Sequence, residues 1–350
     1  MRRNRLAFAL FFCLMAMPAR SQDSWSGFRG LGQAGIGGAV PGLDSRPTAE
    51  LVRWRVPVPG RGWSSPVVHS GKVFVTTSTS ANPGPEQRKG LYILDLQGKA
   101  QPGERSWEVL AFDAATGKSL RRVPVFTGEA RSTIHIKNTF ASETPCADAE
   151  RVIAMFGNRG IAALDHAGKV LWQFDLPVRK TEMGWGPAAS PVLHEGVVYL
   201  AMDSEEESLV WAIDARTGNT LWKRIRNEKS NWATPFVWVH SAGTEIVTAG
   251  KGKVRSYDTR GELLWELGGM SIIAIPTPSA GVIDGKPQST SLFNMIRHTH
   301  KTQPSGTIVA YSDNAAVMQG VETSKLQPDN DNVYQRVAEL THTLMKVETH

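Results

Sequence analysis

Apolar and polar positions alternate along this chain in short bursts, and the bursts recur. "KVFV", "VVYLAM", "VWAID" and "LLWEL" are β-branched or aromatic runs of four to six residues, bounded by Gly, Pro, Asp and Asn. Such runs predict short strands, since almost none of the chain shows the 3.6-residue period of an amphipathic helix. An Asp turn closes one set of strands: "AFDAATGKSL" at Asp113, "ALDHAGKVLW" at Asp165, "AIDARTGNTLW" at Asp214 and "SYDTRGELLW" at Asp258, at spacings of 52, 49 and 44 residues. A Ser/Thr-Pro pair opens another set, at Pro66, Pro145, Pro191, Pro235 and Pro278, with gaps of 79, 46, 44 and 43. Two independent markers share one period.

The turn chemistry explains the repeated letters. Each Asp carboxylate is placed to accept backbone N–H bonds inside a hairpin turn, and Gly117, Gly168, Gly218 and Gly261 supply a positive φ that a Cβ resists. Trp172, Trp222 and Trp265 follow, each a large ring to bury between neighbouring sheets. One repeat holds about four strands, and a lone four-stranded sheet cannot bury both faces, so the repeats must stack. Radial stacking predicts an all-β fold, a β-propeller of four-stranded antiparallel blades, four to five of them recognisable over 22–287. "LVRWRVPV" repeats the final-strand pattern without its Asp turn: Trp54 lies 12 residues before Pro66. It is expected to complete the last blade. A Pro-, Gly- and polar-rich stretch at 76–106 is expected as an insertion arm on the first blade. All eleven tryptophans precede Met270 and no Asp-turn-Trp unit follows Gln288. Residues 288–350 are therefore expected as a divergent segment, helical at 333–347, where Val333, Val337, Leu340, Leu344 and Val347 share one helical face.

Charge enters through the first residues. Arg2, Arg3 and Arg5 precede the apolar run Leu6 to Met17, and Ala19 and Ser21 are small. This reads as a signal peptide over 1–21 and predicts a periplasmic or secreted protein. The run is too short for a membrane span, so no transmembrane span is expected after cleavage. Loss of Arg2, Arg3, Arg5 and Arg20 takes the formal charge from +6 to +2. No dense basic run remains, which argues against nucleic-acid binding. The mature chain keeps a single cysteine, Cys146, and no internal disulfide is available to it.

These repeats resemble those of the PQQ-like (quinoprotein-type) β-propeller proteins: "AFDAATGK" and "AIDARTGNTLW" match the family's A-x-D-x-x-T-G-x-x-x-W pattern, and "WSGFRG" at Trp25 resembles the opening of exported bacterial members. The resemblance covers about Trp25 to Pro287. It implies a propeller and is unspecific as to activity, since the family also holds many exported propellers with no established chemistry. The family's dehydrogenases use PQQ and calcium with a vicinal Cys-Cys pair, where this chain has Cys146 alone. The family's outer-membrane assembly lipoprotein is a scaffold.

Residues ahead of each inner strand should crowd the mouth of the central channel. These are Arg61 and Trp63, Asn138, Trp185, and Lys229, Asn231 and Trp232, expected as a ligand-binding mouth for a protein partner or a small ligand such as a saccharide. The structural alternative is that the rings pack blade to blade and the polar groups cap turns. His135, Lys137 and Glu143 are the candidates for acid–base chemistry, though no nucleophile or metal completes them. The His residues show no metal-ligand spacing, and the glycine run Gly32 to Gly38 does not join a strand to a helix as a nucleotide loop would. The function expected from sequence is an exported, non-catalytic propeller for binding or scaffolding; the alternative is a PQQ-dependent oxidoreductase or another propeller enzyme.

Overall fold

The computed structural model describes residues 24–33, 35, 52–84, 97–240, 242–268, 275, 277–283, 286–291, 295–297 and 308–310. The expected signal peptide and the expected helix at 333–347 lie outside the described residues.

Four antiparallel four-stranded sheets follow one another along the chain, each in simple sequential order. Blade 1 comprises β1 (Val67–His69), β2 (Lys72–Thr79), β3 (Glu104–Asp113) and β4 (Ser119–Glu129). Blade 2 comprises β5 (Cys146–Ala147), β6 (Arg151–Phe156), β7 (Gly160–Asp165) and β8 (Val170–Asp175). Blade 3 holds β9 (Val192–His194), β10 (Val197–Met202), β11 (Ser208–Asp214) and β12 (Thr220–Arg226). Blade 4 holds β13 (Phe236–His240), β14 (Gly243–Ala249), β15 (Lys253–Asp258) and β16 (Leu263–Gly268). The hairpin β17 (Ser279–Ile283) and β18 (Lys286–Ser291) comes next, followed by the paired strands β19 (Met295–Arg297) and β20 (Ile308–Ala310). The protein is an all-β propeller of blades, with each repeat Asp at the last position of its blade's third strand.

Burial follows this arrangement. The middle strands of blade 2 are buried on both faces, while its outer strand β8 alternates between half-buried and exposed. Along β10, Val198, Leu200 and Met202 pack toward blade 2 and Tyr199 toward blade 4, the period of two that a pleated strand between two neighbours requires. Burial of this apolar surface between successive sheets is the main force that stacks them.

Each outer strand also locks onto the next blade's turn. Trp172 in blade 2 donates its indole N–H to the Ala215 carbonyl at 2.9 Å, and Trp222 in blade 3 donates to Thr259 at 2.8 Å. Both acceptors sit one residue after a repeat Asp. Blade 1 has Arg121 where the others have Trp: it pairs with Ala111 as Trp222 pairs with Ala212, and its Nε donates to the Ala167 carbonyl at 3.0 Å. Trp265 in blade 4 turns instead to its own blade and donates to Glu245.

Two expectations change in detail. β2 continues to Thr79 and β3 starts at Glu104, pairing Thr79 with Ser106, so both ends of the 76–106 arm are strand. The β-branched threonines of "VTTST" extend the ladder despite their polarity. Residues 52–59 carry no strand, yet Trp54 donates to the Ala114 carbonyl at 3.0 Å and covers the blade 1 turn as Trp172 covers that of blade 3. Ring docking, not strand pairing, places this segment. No helix among the described residues is long and apolar enough to cross a membrane.

Candidate functional site

In each blade the first and third strands run in the same direction, so the Ser/Thr-Pro pairs and the repeat Asp turns lie at opposite ends. The Ser/Thr-Pro end is called the upper face here. A chain of hydrogen bonds runs round the axis through the residues before each proline. Ser65 N–H donates to the Thr144 hydroxyl (3.0 Å), Thr144 to Ser190 (2.9 Å), Ser190 to Thr234 (3.0 Å) and Thr234 to Thr277 (3.1 Å). Blades 2, 3 and 4 thus each offer one hydroxyl backward and one amide forward, and blade 1 offers the amide. The sequence showed the marker but not this role, which needs all five copies in one place. Thr277 extends the chain beyond blade 4, so β17 enters where a fifth inner strand belongs.

The axis carries a strap that the sequence did not reveal. Trp25 exchanges backbone hydrogen bonds with Val68 of β1 at 2.8 and 2.9 Å, and Ser26 accepts from Ala147 of β5. Further on, the Gln33 carboxamide donates to the Pro235 carbonyl at 2.6 Å and accepts from Val237 at 2.9 Å. Arg29 reaches the Thr277 carbonyl. The segment from Trp25 to Gln33 therefore ties inner strands of blades 1, 2 and 4 together. Cys146 lies beneath it, fully buried, and burial pushes its thiol far up.

Above this strap, the loops between blades form the candidate mouth. The His135 ring meets Trp185 edge-on at 5.5 Å between centroids, and Trp185 meets Trp232 at 5.4 Å. These rings come from the loops before β5, β9 and β13, so one aromatic row crosses three blade junctions. Its frame is hydrogen-bonded: Asn138 donates to the Trp185 (2.9 Å) and Pro187 (3.2 Å) carbonyls, and Trp232 Nε1 donates to the Gly186 carbonyl at 2.7 Å. The Lys137 backbone N–H donates to His135 Nδ1 at 3.1 Å. His135, Asn138, Trp185 and Trp232 are each half-buried.

The other expected mouth residues are not part of this aromatic row. Arg61 donates to the Pro83 and Gly84 carbonyls at the base of the insertion arm. Trp63 is 53% exposed, with its backbone N–H on the Ala141 carbonyl. Lys229 donates to the Glu205 carbonyl at 2.6 Å. Asn231 is buried and donates to Asp203 Oδ2 at 3.1 Å and to the Ala249 carbonyl. It belongs to a buried charge cluster between blades 3 and 4, in which Arg226 pairs with Asp203 (3.0 Å) and Arg255 with Glu228. Burial pushes the Asp203 carboxyl up, and Arg226 pulls it back. Sequence reasoning missed this cluster because its partners are separated by more than twenty residues and no local spacing marks them.

Glu143 faces another space. Its side chain is fully buried, and burial lifts its pKa to about 8 against the opposing pull of backbone N–H groups of Glu143, Ser142 and Gly157. It lines a cleft between blades 1 and 2 with Trp107, Phe140, Phe156, Arg131 and Arg159. His135 and Lys137 are not among the residues lining that cleft.

The resemblance to the quinone dehydrogenases implies a vicinal cysteine pair and Glu, Asn and Asp ligands for calcium. Cys146 is the single described cysteine and lies under the strap, and Asp203 and Glu228 are each already paired with an arginine. No such set is brought together among the described residues. Among the described residues no cluster of three or more His, Cys, Asp or Glu is arranged to hold a metal.

Comparison with known proteins matches residues 105–271 to a family model described as outer membrane protein assembly factor BamB. Among solved structures, the chain is similar to the quinohemoprotein alcohol dehydrogenase of Comamonas testosteroni, at 14% identity and TM-score 0.44 over 65% of this chain and 43% of that one. It is similar to BamB from Moraxella catarrhalis, at 15% identity and TM-score 0.35 over 69% of this chain and 71% of that one. A europium-containing methanol dehydrogenase matches at 11% identity and TM-score 0.36, over 57% of this chain and 40% of that one. The chain thus spans less than half the length of either dehydrogenase.

Proposed function

We propose that this chain, a PQQ-like propeller-repeat protein, is an exported scaffold that holds a protein partner against the aromatic row of its upper face. The observation that carries this reading is the row itself: His135, Trp185 and Trp232, contributed by three consecutive blade junctions and held by hydrogen bonds to neighbouring loops. Aromatic rings held on a hydrogen-bonded frame are among the groups that dominate binding energy at protein interfaces. They lose little conformational freedom on contact, so more of the contact energy appears as affinity. The family model described for an assembly factor supports the same class of role, and the Arg-led apolar leader supports export.

A photo-crosslinking residue in place of Trp185, used in cells, tests this reading. One protein species should be captured there, identified by its mass, and lost when Trp232→Ala is added. Capture no stronger than from the rim position Leu221 would remove the assignment. A saccharide stacked on the same rings is the other outcome to be seen, as a carbohydrate-dependent change in tryptophan fluorescence. Dye reduction by purified protein supplied with PQQ and calcium would instead establish the oxidoreductase.

A further inference from the structure

We propose that the return limb of the insertion arm, residues 97–103, clamps the loop that carries Trp185, and that Gly98 is the positioning residue through which the arm sets the aromatic row for docking. The docking half of this statement rests on the function proposed above. The clamp does not.

Three stretches of backbone lie side by side on the upper face. Lys99 donates its N–H to the Ile134 carbonyl at 2.9 Å and accepts from the Ile134 N–H at 3.2 Å. The next amide, that of His135, points to the other side, as alternate N–H groups of an extended chain do, and donates to the Trp185 carbonyl at 3.0 Å. The Thr133 hydroxyl donates to the Gly184 carbonyl at 2.8 Å. Gly98 ties the two outer stretches directly, its N–H donating to the Met183 carbonyl at 2.7 Å. Three successive carbonyls of the Trp185 loop are thus held from the arm's side. On the far side, Glu182 N–H donates to the Ser230 hydroxyl at 2.7 Å and Trp232 Nε1 to the Gly186 carbonyl. The network therefore runs from the arm of blade 1 to the loop before blade 4.

The contact at Gly98 is one that a side chain would forbid. A Cβ there would stand 1.8 Å from the Gly184 carbonyl oxygen and 2.4 Å from the carbonyl carbon. Gly184 has φ +69°, and a Cβ on it would meet Thr133 Oγ1 at 2.4 Å. Two backbones touch here with nothing between them. The clamped loop is strained: Met183 sits at φ 51° and ψ 17°, a left-handed conformation unfavourable to a residue with a Cβ. The bonds from Gly98, Thr133 and His135 oppose that strain. The limb has its own footing, since Arg61 donates to the Pro83 and Gly84 carbonyls where the arm leaves blade 1, and the buried Gln101 of the limb packs against Gly84. Arg61, outside the aromatic row, thereby belongs to its support.

Gly98→Ala in the full chain tests the clamp. Gly98 is not among the glycines with positive φ, so alanine adds a methyl group at the contact without straining its own backbone. With fluorotryptophan incorporated, the variant should show a shifted or doubled Trp185 fluorine resonance, assigned by Trp185→Phe, while that of Trp172 stays in place and reports that the blades remain folded. Amide exchange at Trp185 and Gly186 should accelerate about tenfold or more. Thr133→Val removes the bond to Gly184 from the other side and should move the same signals, and Thr133→Ser should return them. Gly71→Ala is the control: its φ is +68° and nothing lies within 4 Å of its would-be Cβ, so it loads blade 1 without touching the limb and should leave Trp185 unmoved. Capture by a photo-crosslinking residue at Trp232 reads the docking half and should fall about tenfold in Gly98→Ala. Trp185 signals unmoved by Gly98→Ala, or moved equally by Gly71→Ala, overturn the clamp. Signals that move while capture is undiminished overturn its coupling to docking. No capture from the parent removes the docking function, and the clamp then stands on the moved resonance and the faster exchange.

Discussion

The indole of Trp172 donates its N–H to the carbonyl of Ala215 at 2.9 Å, across the junction of blades 2 and 3. Three residues on, Gly218 lies against the same ring, with φ +75° and so near that a Cβ would meet Trp172 Cδ2 at 2.8 Å. The Asp turn and the Trp of the preceding blade are thus one joint. The turn presents a carbonyl to the indole edge, and the glycine lets the ring face come close. Gly117 with Trp54 and Gly261 with Trp222 repeat this contact.

Gly218→Ala should therefore cost more than the positive φ alone. Gly196 has a matching φ of +77° with nothing within 4 Å of its would-be Cβ, and supplies the control. Gly196→Ala is expected to lose roughly 1–2 kcal/mol from the left-handed backbone, and Gly218→Ala a further ~1–3 kcal/mol from overpacking. Urea denaturation of both variants checks the difference; equal losses would show that the ring does not depend on the glycine.

The joint was legible in the sequence because Asp, Gly and Trp recur at fixed offsets within one repeat. The Arg121 substitution was legible only as a missing Trp: that a guanidinium reaches the Ala167 carbonyl in its place requires the facing blade. The mouth divided similarly. Trp185 and Trp232 were found from their position before inner strands, but their mutual contact, and the diversion of Asn231 to Asp203, follow from loop paths that no local pattern encodes. Gln33 is the extreme case, since its two partners lie 202 and 204 residues away.

The hydroxyl chain makes a second prediction. Thr234 is 2% exposed and its hydroxyl accepts the Ser190 N–H at 3.0 Å. Thr234→Val keeps the shape and strands a buried amide, which should cost about 1–3 kcal/mol. Thr234→Ser keeps the acceptor and should recover most of that loss. Hydrogen exchange at the Ser190 amide reads the same bond directly: it should accelerate in the valine variant and not in the serine variant.

Trp54 should hold its segment by the ring. Residues 52–59 carry no strand hydrogen bonds, so Trp54→Ala removes the indole bond to Ala114 and the ring that covers Gly117. Peptides spanning Arg53 to Val58 are expected to exchange faster in the variant, while those of blade 3 stay unchanged. An equal rate in both proteins would mean that something other than the docked ring retains the segment.

Between blades 3 and 4, Arg226 and Asp203 are 1% and 2% exposed at their side chains. Removing one partner of a buried pair leaves the other charge uncompensated, and Asp203→Ala should cost about 3–5 kcal/mol. The double variant Asp203→Leu with Arg226→Met removes both charges and should be less destabilised than the single one. A thermal melt of the set is sufficient, and a double variant worse than Asp203→Ala would show the pair to be net stabilising.

Glu143 should leave a mark on stability of the opposite sign to a salt-bridged carboxylate. Its pKa rises from the ordinary 4.5 to about 8 in the folded chain, through burial. Below about pH 4.5 both folded and unfolded chains hold the proton, and the group is neutral to stability. Between the two values the folded chain keeps a proton that the unfolded chain has released, so stability falls as pH rises, by up to about 1.4 kcal/mol per unit. Above about 8 both forms are ionised and the loss levels off. Glu143→Gln cannot titrate, and its stability relative to the parent should climb from about pH 5 to pH 8 and then hold. Urea midpoints measured for both proteins across that range decide it: a constant difference would place the Glu143 carboxyl in contact with water or with a charge that holds it ionised.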